Sequence, residues 1–214
     1  SALAASALVG DSLWSRAMAA TPPGPAPAQG GAGPYGPLLP PDANGIQLPA
    51  GFASRVLARG REPVANTGYA WHLLPDGGAT FRTLDGWIYV SNSEMFVPGF
   101  NAGVSAIRFD GLGSIVAAYP ICEGTTFNCA GGATPWGTWL TCEEYGQGHV
   151  FECDPTGVVP AVKRAALGTF QHEAVACDWL LGHLYLTEDQ RDGRFYRFTP
   201  ARFRDLSAGV LEVA

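Results

Sequence analysis

From about residue 68 onward, apolar and polar residues change over in short bursts close to a period of two, not at helical spacing. Three stretches repeat one order of events. Asp85–Glu94 is followed by Gly103–Asp110, Trp136–Glu144 by Gly148–Asp154, and Leu181–Asp189 by Gly193–Thr199. Each predicts a strand, a polar turn and a second strand. A further strand candidate precedes each unit, at Gly68–Leu74, Phe127–Thr134 and Thr169–Cys177. The aromatic residues Tyr89, Trp139 and Tyr185 align at spacings of 50 and 46 residues.

A period of about 45–50 residues with this content is the signature of β-propeller blades. The expected fold is all-β, a β-propeller with about three to four blades present in residues 49–214. Propellers close with four to eight blades. The expectation is therefore of a chain that stops before the later blades, the last residues Ser207–Ala214 ending in mid-strand.

Composition agrees with strands. Gly (28) and Pro (17) make up about a fifth of the 214 residues, and both punctuate strands and break helices. Hydrophobic residues are 47% and charged residues 15%, enough to build a core. The formal net charge is −6 with no clustered Lys/Arg face, which argues against nucleic acid as a partner. Residues 1–20 read as the remnant of an export signal, with an apolar run at 2–9 and a small-residue box at Ala17-Met18-Ala19. Residues 21–48 read as a Pro/Gly-rich linker. No other stretch is apolar enough to span a bilayer, so no stable membrane insertion is expected after signal removal.

The chemistry concentrates in Asn128–Glu144, which joins a thiol, a Gly/Pro turn, an aromatic strand and a carboxylate pair. Thiolate is a soft ligand, and adjacent glutamates are hard oxygen ligands. In a propeller, equivalent positions of successive blades face one centre. The repeat would bring His72, Cys129 and His172-Glu173 near the axis, together with the acidic strand ends Glu94, Glu143-Glu144 and Glu188-Asp189. Carboxylates converging without a cation would repel, and some would have to remain protonated. The five cysteines (Cys122, Cys129, Cys142, Cys153, Cys177) form no CxxC spacing and are odd in number, so at least one is free, metal-bound or paired outside the chain. Cys142 is expected in the core or in a disulfide, and Cys122, Cys153 and Cys177 as packing or crosslinking groups.

The Asn128–Glu144 run, Phe170-Gln171-His172-Glu173 and Tyr185–Asp189 together resemble the PhoX-type alkaline phosphatases, over roughly residues 46–214. The resemblance implies a six-bladed propeller, export by the twin-arginine machinery to the periplasm, cell envelope or medium, and hydrolysis of small-molecule phosphate monoesters at a cluster of Fe3+ and Ca2+. It implies that Cys129 is an iron-bound thiolate and that Glu144, with Glu143, and Glu173 bind cations, with Glu94, Glu188 and Asp189 as further candidates. Arg197 is placed as a phosphate contact, and His172 and His72 as groups orienting the carboxylates. No nucleophilic side chain is assigned. Two rivals stand beside this: a calcium-dependent propeller esterase or lactonase, which gains nothing from a thiolate, and a non-catalytic secreted propeller binding protein.

Overall fold

The computed structural model describes residues 34–96 and 103–214; the signal remnant at 1–20 and residues 21–33 of the 21–48 linker lie outside the described residues. The chain divides into one unit ending at Val56 and a second beginning at Leu57. The described part of the first is a loop bridged between Leu38 and Pro49. Asp42 pins it by accepting the backbone N–H groups of Asn44 at 2.8 Å and Ile46 at 3.0 Å.

The second unit is all-β. Twelve strands build three antiparallel four-stranded sheets, each in simple sequential order. The first holds β1 (Pro75–Arg82), β2 (Gly86–Ser93), β3 (Gly103–Asp110) and β4 (Ile115–Cys122). The second holds β5 (Asn128–Ala133), β6 (Trp139–Glu143), β7 (Val150–Cys153) and β8 (Val162–Lys163). The third holds β9 (His172–Cys177), β10 (Leu184–Glu188), β11 (Phe195–Arg202) and β12 (Asp205–Val213). The only helical turn among the described residues is a 3-10 turn at Ala165–Leu167. No sheet closes on itself among the described residues, and no helix there is long and apolar enough to cross a membrane.

The core lies between the sheets. Ile88, Val90, Val104 and Ala106 of the first sheet pack on Trp139 and Cys153 of the second. Leu140, Cys142 and Val150 of the second pack on Val175, Leu184, Leu186 and Phe198 of the third. The outer face of the first sheet is closed by the preceding segment, where Val64 and Trp71 meet Ile107 and Phe109.

That segment departs from the sequence expectation. Gly68–Leu74 does not form the first strand of the first sheet; β1 begins at Pro75. Residues 61–71 instead fold back on themselves, Arg61 and Val64 donating to the Trp71 and Tyr69 carbonyls at 2.8 Å each. Their apolar side chains form a cap, with no strand ladder to the sheet. The third repeat is also offset. Glu144 N donates to Phe127 O and Asp189 N to Gln171 O, which sets Glu144 equivalent to Asp189 and hence Trp139 equivalent to Leu184, with Tyr185 one residue beyond.

The first strands of the three sheets run side by side, β1 next to β5 and β5 next to β9. Two glycines allow this approach. A Cβ on Gly77 would stand 2.7 Å from Ala130 Cα, and one on Gly132 would stand 1.9 Å from Val175 O. One buried side chain stitches the first sheet to the second. Asn92 donates both amide hydrogens, to Cys129 O and Ala130 O at 2.8 Å each, while its oxygen accepts Trp139 Nε1–H at 2.9 Å and Thr141 Oγ1–H at 3.0 Å.

Asn92→Leu keeps the branched outline of the side chain and removes four hydrogen bonds. At about 1–3 kcal/mol for each buried polar group left without a partner, the variant is expected to lose at least about 3 kcal/mol. Urea unfolding measures this; a loss under about 1 kcal/mol would show that the stitch carries little.

Candidate metal centre

Each pair of first and second strands contains the same irregularity. Between Pro75 and Gly78 the β1 chain advances three residues while β2 advances two, from Ser93 to Ser91. Asn128–Gly131 does the same against Glu143–Thr141, and His172–Val175 against Glu188–Leu186. Such bulges place one extra residue in a strand and re-aim its side chain. The residues set in them are Asp76, Cys129 and Glu173. The residue just past the end of each partner strand is Glu94, Glu144 or Asp189; its backbone N–H donates to Leu74 O, Phe127 O or Gln171 O respectively. Three sheets thus present three equivalent pairs: Asp76 with Glu94, Cys129 with Glu144, and Glu173 with Asp189.

The pairs meet. Ligand atoms of Asp76, Glu94 and Cys129 lie within 4.8 Å of one another, as do those of Cys129, Glu144 and Glu173. Cys129 belongs to both groups. Its Sγ stands 3.3 Å from Asp76 Oδ2 and 3.4 Å from Glu173 Oε2. Gln171 donates to Glu144 Oε1 at 3.1 Å and is itself bonded to Gln190, which fixes one carboxylate from the third sheet's side.

Electrostatics describe a pocket that lacks positive charge. The Cys129 thiol is pushed far above its ordinary range, first by burial, then by hydrogen bonds to Asp76 and Glu144 and by the negative charge of Glu173. Glu94 is raised by burial and by Asp76 and Glu144. Glu173 is raised by burial most of all, and further by Glu144, Asp189 and Asp76. No Lys or Arg is among the hydrogen-bond partners of these residues in the described structure. A nucleophilic cysteine requires cationic neighbours that lower its pKa. Here the neighbours are anionic, so the geometry suits a ligand and does not suit a nucleophile. A soft sulfur shared by two oxygen-rich groups fits one thiophilic cation beside harder ones.

Several expected site residues have other partners. Glu143 and Glu188 occupy equivalent positions and pin hairpins: Glu143 accepts the backbone N–H of Thr126 at 3.2 Å and of His149 at 3.1 Å, and Glu188 accepts Arg194 N–H at 3.1 Å and Tyr196 O–H at 3.0 Å. The pleat turns each side chain away from that of its acidic neighbour. His72 lies before β1 and bonds Ser105 at 2.9 Å and Ser91 at 3.2 Å; burial lowers it to about 4, so it stays neutral. The position equivalent to Cys129 and Glu173 is Asp76, not His72, because the first strand starts later than its apolar pattern suggests. His172, also lowered to about 4 by burial, points to Gly168 O at 3.4 Å and packs on Phe170, not on the carboxylates. Arg197 pairs with Glu212 across β11 and β12. Cys142 is fully buried in the core, without a disulfide.

Asp76 is the residue that sequence reasoning missed. Pro75-Asp76-Gly77-Gly78 reads as a turn, and the unequal spacing to the following acid hid the match. The family model described as Alkaline phosphatase PhoX matches residues 68–148 and 145–209. The chain belongs to the PhoX alkaline phosphatase family. Both ligand groups fall inside the matched residues. No curated protein and no solved structure matches the chain.

A PhoX pocket of this kind gives a pH signature. Glu94 and Glu173 are raised in the folded state, so their contribution to stability is present below the ordinary glutamate value of 4.5 and is lost as pH rises through the raised value. In chelator, Glu173→Gln is therefore expected to gain stability over the parent protein as pH rises above 4.5, reaching about 1 kcal/mol for like charges within 4.8 Å of each other. With cations added the order reverses. Thermal melts at pH 5 and pH 8 test this, and equal melts with and without cations would contradict it.

Proposed function

We propose that this chain carries the metal-binding blades of an exported phosphomonoesterase that hydrolyses small-molecule phosphate monoesters at Fe3+ and Ca2+. The observation that carries the reading is the convergence of Cys129, Glu144 and Glu173 within 4.8 Å, with Asp76 and Glu94 forming a second group on the same sulfur, in a member of an alkaline phosphatase family. In this reading the three sheets are consecutive blades of a propeller. Their sequential antiparallel order and the side-by-side β1, β5 and β9 support it.

Cys129 would hold iron, with Glu144 and Glu173 completing one side of the cluster and Asp76 and Glu94 the other. Asp189, equivalent by repeat to Glu94 and Glu144, is the sixth candidate. When bound, such cations act as Lewis acids that neutralise charge on phosphoryl oxygens. The protein's own part is to position and to manage protons. Asn92 fixes the Cys129 peptide, and Gln171 fixes Glu144. The proton held at Cys129 Sγ must leave before sulfur can ligate, so cation affinity rises with pH. That direction agrees with an enzyme that works in alkaline solution. Export to the periplasm or cell surface belongs to the same reading, as does a phosphate-contacting role for Arg197, which would first have to release Glu212.

Supplied with Fe3+ and Ca2+, the protein in its full natural length is expected to bind iron stoichiometrically and release phosphate from p-nitrophenyl phosphate at alkaline pH. Cys129→Ser should lose iron and lower kcat roughly 100-fold or more, since even residues that merely orient ligands cost 10–100-fold. Elemental analysis and the colorimetric assay read both. Calcium without iron, and hydrolysis of a carboxylic ester or lactone spared by Cys129→Ser, would point to the rival esterase; metal-replete protein with no iron and no turnover would reject the proposal.

A further inference from the structure

The five cysteines divide by their surroundings. Cys129 faces carboxylates. Cys142 and Cys177 lie at the core between the second and third sheets, their thiols raised by burial and by nearby glutamates. Cys122 and Cys153 are different. They end β4 and β7, are 4% and 0% exposed, and belong to one apolar cluster between the first and second sheets.

The backbone around them is held in register. The end of β4 runs back alongside the chain leaving β7. Tyr119 O–H donates to Pro155 O at 3.1 Å, and a Cβ on Gly157 would meet the Tyr119 ring at 3.1 Å and Pro120 O at 3.5 Å. Following β4 onward from these contacts, and the other segment back toward β7, brings the end of β4 to the end of β7, where Cys122 and Cys153 lie in the same buried cluster. The interaction of the two thiols lowers Cys122, and the same interaction together with burial raises Cys153.

We infer that Cys122 and Cys153 are a disulfide pair in the exported protein, a covalent staple between the first and second sheets. Exported proteins meet oxidants that cytosolic ones do not. The Cys122 thiolate attacks one sulfur of an oxidised dithiol catalyst or small disulfide, expelling a thiolate. The Cys153 thiolate then attacks the Cys122 sulfur and expels the second. The protein loses two hydrogens as protons, and two electrons leave with the reduced dithiol. A cleft of about 320 Å3 lined by Pro120, Cys122, Glu123, Gly157 and Val159 gives the oxidant an approach. The closed loop, residues 122–153, contains both Cys129 and Glu144. It also anchors the connection into β5, where Thr125 sits 3.9 Å from Cys122 Sγ and donates to Asn128 Oδ1 at 2.8 Å.

The test treats the full-length protein with oxidised glutathione or with a phosphine reductant, then alkylates in denaturant and maps peptides by mass. The expected result is a Cys122–Cys153 linked peptide lacking two hydrogens in the oxidised sample alone. Its Tm should exceed that of the reduced sample by roughly 5–10 °C, from the constraint that a loop of this length places on the unfolded chain. Cys153→Ser should remove both the link and the redox-dependent Tm shift. Alkylation of both thiols after oxidation, linkage of either to another cysteine, or persistence of the shift in Cys153→Ser would overturn the inference. Peptide mapping requires no turnover, so its outcome is independent of the phosphatase reading.

Discussion

The stitch made by Asn92 is the interaction on which the rest of this structure depends. Three first strands must approach closely enough for their bulges to share one pocket, and backbone carbonyls at that seam are cut off from water. Asn92 donates to two successive carbonyls, of Cys129 and Ala130, and accepts from Trp139 and Thr141 of the next strand. All four of these hydrogen bonds are buried or partly buried, where a group without a partner is costly. One amide therefore fixes the peptide that carries the thiol, the seam between the first two sheets, and the strand leading to Glu144.

What that seam assembles is electrostatically unfavourable by itself. Asp76, Glu94, Cys129, Glu144 and Glu173 converge with no basic partner, and the response of the bare pocket is to hold protons: Glu94 and Glu173 are raised and the thiol is kept neutral. Apolar packing between the sheets supplies the stability that this convergence removes, with Leu140, Leu184, Leu186 and Phe198 fully buried behind the pocket. A fold that keeps such a cluster in place is poised for cations, because a bound cation replaces repulsion with attraction at every one of these groups.

The repeat explains how chemistry varies on a constant frame. The same two positions in each sheet, the bulge residue and the residue past the partner strand, hold Asp and Glu, then Cys and Glu, then Glu and Asp. A single substitution of carboxylate by thiol at the middle bulge places a soft ligand between two hard sets. The adjacent acids Glu143 and Glu188 are spent on backbone N–H groups, so acidic pairs in the sequence divide into one ligand candidate and one structural pin.

Local pattern was sufficient for the strand–turn–strand units, for the all-β class and for the convergence of Cys129, Glu144 and Glu173, because alternation and a repeated motif report on which strand ends face together. The PhoX family was legible for the same reason, since its most demanding residues are contiguous in Asn128–Glu144. Strand entry was not legible: Tyr69, Ala70 and Trp71 look like strand residues, and only packing against Ile107 and Phe109 makes them a cap and shifts the first bulge to Asp76. Which member of an acidic pair points inward, and why a polar run at Ser91-Asn92-Ser93 sits inside an apolar strand, were likewise decided by tertiary structure. The pleat gives each neighbour the opposite face, and an extra residue in a bulge resets that alternation, which no one-dimensional pattern records.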